Sequence, residues 1–456
     1  MQHQQKVLQG MIGLEIHVYL VTKEKLFCQC LASREKGLAP NTYICPICTG
    51  QPGAKPMLPN KTAVGKAVQI ALMLGCKVNN NMPWQRKHYS WPDLPKGYQN
   101  TLSGPHASPV GENGKFCGIT IQSMHLEEDP AAWSPKTGEV DYNRSGLPLV
   151  EIVTAPDFST AEEVIDWLTK LTHNLAYLKA ADTNAGIKVD VNVSLPKKTV
   201  RTEVKNISSL ESIEHAINAE LERHARELPQ EQETRRFDDA KGKTTLMRSK
   251  EGAQDYRFIR DPDLQTLQLN KEFIQHHQTT IPESPQEKLE KMIKQFKIDK
   301  KNAHILIKHI DIALFFESVA HKIDPQFALP WVTIELLRVL NYHKTTLDQV
   351  DIKTDHFVAL LKLVQLGTIT PLKAKEMLND FYPKSSMPIA MDAKITDEHQ
   401  IMTFAKRVIE KNQEAVKSYQ NGEHNALNFL LGQLMQLSNK RADPVVARKV
   451  LLTLLA

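Results

Sequence analysis

Apolar and polar residues alternate in short runs over the first 290 residues of the chain. The runs MIGLEIHVYL, CGITIQSMHL, LPLVEIVTA and IKVDVNVSL carry this pattern, which predicts β-strands. Between them, residues 62–75 and 160–178 place apolar side chains at helical spacing. Strands grouped with interspersed helices, without a regular βαβ repeat, favour an α+β fold with a mixed sheet over a doubly wound sheet.

The pattern becomes helical after TIPESPQEKLEKMIKQF, where two prolines flank a Glu-Ser pair. We place a domain boundary there, near residue 290. A second loop, FYPKSSMPIAMDAKITDEHQ, precedes a helix whose apolar face comprises Ile401, Phe404, Ala405, Val408 and Ile409. The sequence therefore predicts a mixed-sheet domain over 1–290, an all-helical domain over 291–395 and a small helical tail domain over 396–456.

The composition of the 456-residue chain is that of a globular protein, with 41% hydrophobic and 24% charged residues. The net charge of +5 permits a nucleic-acid partner without requiring one. The first residues lack the sustained apolar run of a signal peptide, and no run reaches the roughly 18 apolar residues of a membrane span. We therefore expect a cytoplasmic protein with no membrane association.

Four of the six cysteines form two close pairs, Cys28 with Cys30 and Cys45 with Cys48. Two thiolate pairs on facing loops can surround a tetrahedral Zn²⁺, and the proline of CPIC is common in such a knuckle. Because the first pair has a tighter spacing than usual, buried free cysteines remain the alternative. Four cysteine ligands leave no open coordination position, so this zinc would stabilise the fold and take no part in catalysis.

Charged residues interrupt several of the apolar runs, which is costly unless each charge is paired or binds a metal. Residues two apart on a strand share a face, so Glu15 projects with His17, and His125 with Glu127. Each acid alone is better explained by a strand end that reaches solvent, but together they suit Mg²⁺, which prefers oxygen ligands. The set comprises Glu15, His17, Glu127, Glu128, Glu151 and Asp190.

The adjacent acids of HLEED cannot both face a metal on one strand. Glu127 shares the face of His125, and Glu128 takes the opposite face unless Pro130 ends the strand early.

Basic and polar residues follow the acids in RTEVKN, QETRRFD and MRSKEGAQDYRF. A solvated surface explains any single one, but together they could neutralise phosphates beside a metal. The candidates are Arg201, Glu203, Lys205, Asn206, Arg235, Arg248, Lys250 and Arg257.

Familiar catalytic signatures are absent from the sequence. It has no G-x-x-x-x-G-K-[ST] loop, no G-x-G-x-x-G after a strand and no H-E-x-x-H, so P-loop, Rossmann and zincin sites lack support. No serine or cysteine has the surroundings of a hydrolytic nucleophile.

Nine motifs occur in order over residues 12–264: GLEIHV, CPIC with GQPGAKP, RKHYSWPDLPKGYQ, HLEED, VDYNRSGLPLVEIV, VDVNVS, RTEVKN, QETRRFD, and MRSKEGAQDYRF with DPDL. In this order they resemble the B subunit family of aspartyl/glutamyl-tRNA amidotransferases, and NFLLGQLMQLSNKRADP resembles that family's tail module. The chain departs from the family pattern in YQNT, in VDVN, at Tyr19 and in PAAW, which follows HLEED where Ala-Gly-Lys is usual.

The resemblance implies a ligase that forms a carbon–nitrogen bond with glutamine as amido donor. Such enzymes phosphorylate the side-chain carboxylate of Glu-tRNA(Gln), and often Asp-tRNA(Asn), with ATP and Mg²⁺, and then amidate it. Ammonia would come from the A subunit, which is an amidase, and the small C subunit would brace the pair in a heterotrimer. The first domain would be the catalytic cradle, and the helical middle and tail would hold the tRNA.

The resemblance also implies roles for individual residues. Catalytic and metal-facing roles fall on Glu15, His17, Glu127, Glu128, Glu151 and Asp190. Contacts with the nucleotide or the acyl phosphate fall on Asn192, Arg201, Glu203 and Lys205. The competing hypothesis is a non-catalytic, zinc-stapled protein that only docks tRNA.

Overall fold

The computed structural model describes residues 8–35, 37–182, 186–249, 256–389 and 394–455. The candidate Lys250 lies outside these residues, as do the side chains of Asn206 and Arg248. The chain divides into two compact units, Met1–Ser284 and Pro285–Ala456.

All strands in the described part of the chain lie in the first unit. They are β1 (Met11–Tyr19), β2 (Lys77–Val78), β3 (Asn81–Met82), β4 (Gln85–His88), β5 (Gln99–Thr101), β6 (Gly111–Phe116), β7 (Ile119–Glu128), β8 (Ala132–Trp133), β9 (Val140–Asp141), β10 (Pro148–Thr154), β11 (Lys188–Ser194), β12 (Thr202–Ile207), β13 (Glu233–Asp238), β14 (Lys243–Ser249), β15 (Arg257–Arg260) and β16 (Leu267–Gln268). Its helices are α1 (Lys61–Met73), α2 (Ala161–Tyr177), α3 (Leu210–Glu227) and α4 (Lys271–Thr279).

Twelve of the described strands form one mixed sheet. Its main order is β14-β13-β12-β11-β1-β10-β7-β5-β4-β15, with β6 on β7 and β2 on β6. β12 and β13 run parallel, and α3 provides the crossover that a parallel pair requires. Side-chain caps from Asn60, Thr160 and Ser209 begin α1, α2 and α3. The predicted α+β fold is confirmed.

The strand β1 shows how the sheet separates its two faces. Ile12, Leu14 and Ile16 are buried in the main hydrophobic core, together with side chains of α1, α2 and α3. Glu15 and His17 alternate with them and therefore project from the other face. The helices cover one face of the sheet, and the opposite face carries the polar residues.

The second unit is helical. Its helices are α5 (Pro285–Lys294), α6 (Lys300–Leu306), α7 (Ile310–Ala320), α8 (Pro325–Pro330), α9 (Leu337–Tyr342), α10 (Thr354–Gln365), α11 (Pro371–Asn379), α12 (Glu398–Lys411), α13 (Gln413–Gln420), α14 (Asn425–Leu437) and α15 (Pro444–Leu455). A π-helical stretch, Trp331–Leu336, joins α8 to α9. None of the helices in the described ranges is both long and apolar enough to cross a membrane.

Two hydrophobic clusters stabilise this unit. One contains residues between Leu289 and Phe381, and the other residues between Ile395 and Leu455. In the second, Ile401, Ala405 and Val408 of α12 are buried, on the face that the sequence pattern predicts. The boundary that we placed near residue 290 lies inside α5, and the division into 291–395 and 396–456 stays a prediction.

Candidate active site

The polar face of the sheet lines a cavity of about 450 Å³. Six residues that the sequence singles out meet there: Glu15, His17, Glu127, Glu151, Asp190 and Lys205. Further side chains of the cavity were not predicted as site residues, and they include Lys87, Trp91, Asp93, Trp133, Arg144, Lys188 and Tyr256. Acids, bases and aromatic rings therefore share one cavity.

The strand register explains how distant segments meet. His17 on β1 lies directly opposite Glu151 on β10, and Glu151 lies opposite His125 on β7. On the other side of β1, Glu15 lies opposite Asp190 on β11. Side chains directly opposite each other in an antiparallel pair approach to about 5 Å, so the register alone clusters these groups.

His17 lies between two of the carboxylates. Its Nε2 is 3.7 Å from Glu15 Oε1 and 3.5 Å from Glu151 Oε2, and one ligand atom of each of the three residues lies within 4.8 Å of the others. An octahedral Mg²⁺ with bonds of about 2.1 Å places its ligand atoms about 3.0 to 4.2 Å apart. Glu127 Oε2 is buried and has no hydrogen-bond partner in the described part of the chain. The donor set and this unpaired oxygen fit a divalent cation.

The pKa values of the acids reflect their crowding. Burial and the charge of Glu151 raise the pKa of Glu15 and that of Glu127 to about 7. Burial raises the pKa of Glu151 too, but the hydrogen bond from His17 and the charge of Lys87 outweigh it and lower this pKa to about 2. A bound cation would stabilise the ionised carboxylates, so we expect its binding to release protons.

The surroundings of His17 favour the protonated form of its imidazole. Burial lowers its pKa, but the hydrogen bond to Glu151 and the surrounding carboxylates outweigh burial and raise the pKa to about 9. A metal ligand must be a neutral imidazole, so a cation that binds His17 would also displace this proton.

Two lysines supply positive charge beside the acids. Lys205 Nζ is 2.7 Å from Asp190 Oδ2 and 2.9 Å from Glu203 Oε1. Burial lowers the pKa of Lys205 and of Lys87, but the neighbouring carboxylates outweigh it and raise both pKa values above their usual range. Both ammonium groups therefore stay charged at the cavity and can neutralise phosphate oxygens.

Glu128 lies on the other face of β7 from Glu127. Its Oε1 accepts a hydrogen bond of 2.9 Å from the backbone N–H of Asn100 and forms an ion pair with Lys96. It is buried but does not line the cavity. This is the placement that strand alternation predicts, since β7 continues to Glu128 before Pro130.

Other predicted contacts lie away from the cavity lining. Arg201 is exposed just before β12 begins. Glu203 contacts Lys205 and accepts a hydrogen bond of 3.2 Å from Thr234. Asn192 projects from β11 with a buried Oδ1 that has no partner within the described ranges. Their roles as nucleotide or acyl-phosphate contacts stay predictions.

The four paired cysteines form a compact cluster. Cys48 Sγ lies 3.8 Å from Cys45 Sγ and 4.0 Å from Cys30 Sγ, and the four sulfur atoms, with that of Cys28, lie within 4.8 Å of one another. Zn–S bonds of about 2.3 Å place the sulfurs of a tetrahedral site about 3.8 Å apart. The cluster has the dimensions to hold a zinc ion.

Thiolate character is already favoured at one of these sulfurs. The hydrogen bond from Cys28 and the charge of buried Lys25 outweigh burial and lower the pKa of Cys48 to about 5. A deprotonated sulfur is the form that binds zinc.

Comparison with known proteins agrees with this geometry. Residues 10–275 match the family model of the GatB/GatE catalytic domain, and residues 314–455 match that of the GatB domain. The chain belongs to the GatB family. The B subunit of the aspartyl/glutamyl-tRNA(Asn/Gln) amidotransferase of Methanocaldococcus jannaschii is 40% identical over 95% of this chain and 95% of its own. Its counterpart from Methanopyrus kandleri is 38% identical over 96% and 97%. The family resemblance drawn from the nine GatB motifs is confirmed.

Proposed function

We propose that this GatB-family chain uses ATP to phosphorylate the side-chain carboxylate of Glu-tRNA(Gln), Asp-tRNA(Asn) or both, and then amidates the acyl phosphate with ammonia. The observation that carries the proposal is the cavity in which Glu15, His17 and Glu151 cluster beside Lys87 and Lys205. The names of the relatives include both tRNA(Asn) and tRNA(Gln), which supports the choice of substrates.

The reaction needs activation because a carboxylate is a poor acyl donor. A carboxylate oxygen attacks the γ-phosphorus of ATP, the bond to the bridging oxygen breaks, and ADP leaves. Ammonia then attacks the carbonyl carbon, and phosphate departs with the former carboxylate oxygen. Phosphoryl transfer depends mainly on positioning and charge neutralisation, which ordered polar side chains on a sheet can provide.

Different cavity residues would bind the metal and neutralise the phosphates. Glu15, His17 and Glu151 would hold Mg²⁺, with Glu127 and Asp190 facing it, and the ion when bound would neutralise phosphate charge. Lys87 and Lys205 remain protonated and are placed to neutralise further phosphate oxygens.

Glu127 is suited to proton transfer during amidation. Its buried Oε2 has no hydrogen-bond partner among the described residues, so the carboxylate can accept the proton that nitrogen loses as the amide forms.

Other parts of the chain would support the reaction. Cys28, Cys30, Cys45 and Cys48 would hold a structural zinc. No hydrolytic nucleophile is evident in the sequence, so ammonia would come from the amidase, or A, subunit, and the small C subunit would complete the complex. The helical unit would contact the tRNA through its backbone and shape.

The test is ATP hydrolysis by the assembled complex with Glu-tRNA(Gln) and with Asp-tRNA(Asn) in turn. We expect Glu127→Gln and Glu151→Gln to lower tRNA-dependent hydrolysis by about 10²-fold or more. Glu112→Gln is the matched control, since Glu112 lies on β6 of the same sheet and does not line the cavity. Undiminished hydrolysis in both cavity variants would refute the proposal and favour the tRNA-docking alternative.

A further inference from the structure

Two tryptophans line the cavity without any role in the chemistry above. Their rings contact each other in a T-shaped arrangement, with centroids 5.4 Å apart and planes at 87°. Trp91 keeps 53% of its surface exposed, although large apolar side chains usually become buried. An exposed indole at a cavity presents a flat face on which another planar ring can stack.

The segments that carry the two indoles are fixed to each other. The backbone N–H of Ala131 donates a hydrogen bond of 2.8 Å to the carbonyl of Asp93. Arg144 donates hydrogen bonds of 3.0 Å to the carbonyl of Pro130 and 2.6 Å to that of Ala131. Its Nε also lies 3.1 Å from Asp129 Oδ2. The pair is therefore preorganised by contacts that do not involve the indoles.

An unpaired acceptor lies beside the rings. Asp93 Oδ1 lacks a hydrogen-bond partner among the residues that the structure describes, and it is buried although Asp93 lines the cavity. A buried carboxylate oxygen without a donor is costly, so a ligand that brings an N–H or O–H group would bind favourably here.

We propose that Trp91, Trp133 and Asp93 form a binding site for an adenosine group. The base would stack on the exposed indole, and its amino group or a ribose hydroxyl would donate to Asp93. This inference rests on the proposed function, which brings adenosine to the cavity from two sources: ATP and the 3′-terminal adenosine of the aminoacyl-tRNA. Base stacking on an aromatic side chain strengthens binding by about 5- to 150-fold.

Trp133 reaches the cavity from a short hairpin. It belongs to the stretch PAAW, which directly follows HLEED. In the structure it ends the short strand β8, which pairs with β9 so that Trp133 lies opposite Val140. The hairpin thus presents an indole at the cavity next to the acids of HLEED in this chain.

The experiment measures equilibrium binding to the assembled complex. The ligands are ADP, inorganic tripolyphosphate, and tRNA(Gln) with and without its 3′-terminal adenosine. The variants are Trp91→Ala, Trp133→Ala, Asp93→Asn and Trp91→Phe, which keeps an aromatic face. Leu246→Ala is the control, since Leu246 is 54% exposed, like Trp91, but lies on β14 away from the cavity.

We expect Trp91→Ala to weaken the binding of one adenosine ligand by about 5- to 150-fold. Trp91→Phe should bind that ligand with nearly wild-type affinity, and the binding of tripolyphosphate should not change. A loss confined to ADP assigns the site to the nucleotide, and a loss confined to intact tRNA(Gln) assigns it to the tRNA end. Unchanged binding of both ligands, or an equal loss for tripolyphosphate, would overturn the proposal. If Trp91-dependent adenosine binding persists while wild type hydrolyses no ATP with any charged tRNA, only the proposed function fails.

Discussion

Two buried glutamates of the first unit, Glu220 and Glu127, differ in how many hydrogen bonds their carboxylates accept from the protein. Glu220 on α3 is fully buried and accepts hydrogen bonds of 2.9 to 3.1 Å from Arg223, with a further bond from Thr244. The hydrogen bond from His224, together with those from Arg223 and Thr244, outweighs burial and lowers the pKa of Glu220 to about 2. Glu127 in the cavity is also buried, but one of its oxygens has no partner among the described residues, and its pKa is raised to about 7.

Burial of a charge therefore does not identify a functional site. Glu220 on α3 accepts its hydrogen bonds from other residues of the protein, and these bonds stabilise the folded state. The cavity glutamate keeps one oxygen without a partner among the described residues, and burial and the charge of Glu151 raise its pKa to about 7. Unused capacity, combined with a cavity, distinguishes a binding group from a structural one.

The largest effect that we expect is functional and comes from Glu127→Gln. Hydrolysis of ATP should fall by about 10²- to 10³-fold, while the free energy of unfolding should not decrease, because an acid that repels Glu151 has been neutralised. Denaturant unfolding of the full chain, measured beside the hydrolysis assay, separates the two effects. If Glu127→Gln instead unfolds the protein enough to explain the lost hydrolysis, Glu127 would be a structural residue like Glu220 and the prediction would be wrong.

Removal of one of the four clustered cysteines should abolish the zinc binding that we propose. Cys48→Ser breaks a cluster in which all four ligands come from the protein, so we expect the zinc content to fall from one ion per chain to near zero and unfolding to become easier. Elemental analysis of the purified protein measures this. Cys117→Ser is the control, because Cys117 is exposed and lies outside the cluster. Full zinc occupancy in Cys48→Ser would refute the assignment.

Glu220→Gln should have the opposite effect from Glu127→Gln. Loss of this carboxylate removes charged hydrogen bonds from the buried guanidinium of Arg223, which keeps its pairs with Glu227 and Glu233. We expect the free energy of unfolding to fall by about 3 kcal/mol. The folded fraction should hydrolyse ATP at the wild-type rate. Denaturant titration gives the first quantity, and hydrolysis per folded molecule gives the second. An unchanged unfolding midpoint would show that the network adds no stability.

The stabilisation from Glu220 should depend on pH. Its pKa is lowered from 4.5 to about 2 in the folded state, so its contribution is fully present above pH 4.5 and is lost as the pH falls towards 2. Because glutamine does not titrate, the stability difference between wild type and Glu220→Gln should narrow over this interval. Unfolding measured at several pH values tests this, and a constant difference would contradict it.

Only a small effect on ATP hydrolysis should come from Glu128→Gln, although Glu128 is the neighbour of Glu127 in the sequence. We expect stability to fall by about 2 kcal/mol, because Lys96 loses a charged partner, and hydrolysis to stay within about threefold of wild type. The same assays as for Glu127→Gln measure both. A loss of hydrolysis as large as that of Glu127→Gln would place Glu128 in the reaction despite its opposite face.

Strand periodicity was sufficient to predict much of the candidate site. Glu15 and His17 interrupt an apolar run at spacing two, so their common face followed from the pattern, and the same rule separated Glu127 from Glu128. Local patterns could not show that β10 would lie between β1 and β7, because strand order depends on contacts distant in sequence. The resemblance to the family supplied that grouping.

Residues outside strands were harder to predict. Trp91 and Asp93 lie in the loop after β4, and Lys87 lies on that strand of only four residues. All three belong to the motif RKHYSWPDLPKGYQ, which indicated the family but gave no periodic signal for single side chains. Glu220 was not predicted, because its helix carries charges on several faces and one buried acid resembles a solvated one. Arg201 and Lys205 are four residues apart and would share a face on one continuous strand. Arg201 precedes β12, however, and is exposed.

Side chains along β1 point alternately to the core and to the cavity, and this alternation limits where the gene can gain or lose single codons. Insertion of one residue after Gly13 would move Glu15 and His17 towards the helices and bring Ile16 to the cavity, so a single added codon would remove the proposed metal ligands and damage the core together. The hairpin of β8 and β9 lies outside the main sheet, so codons added in its turn would leave that register intact. A library of single-codon insertions would therefore show intolerance along β1, β7, β10 and β11 and tolerance at residues 135–138.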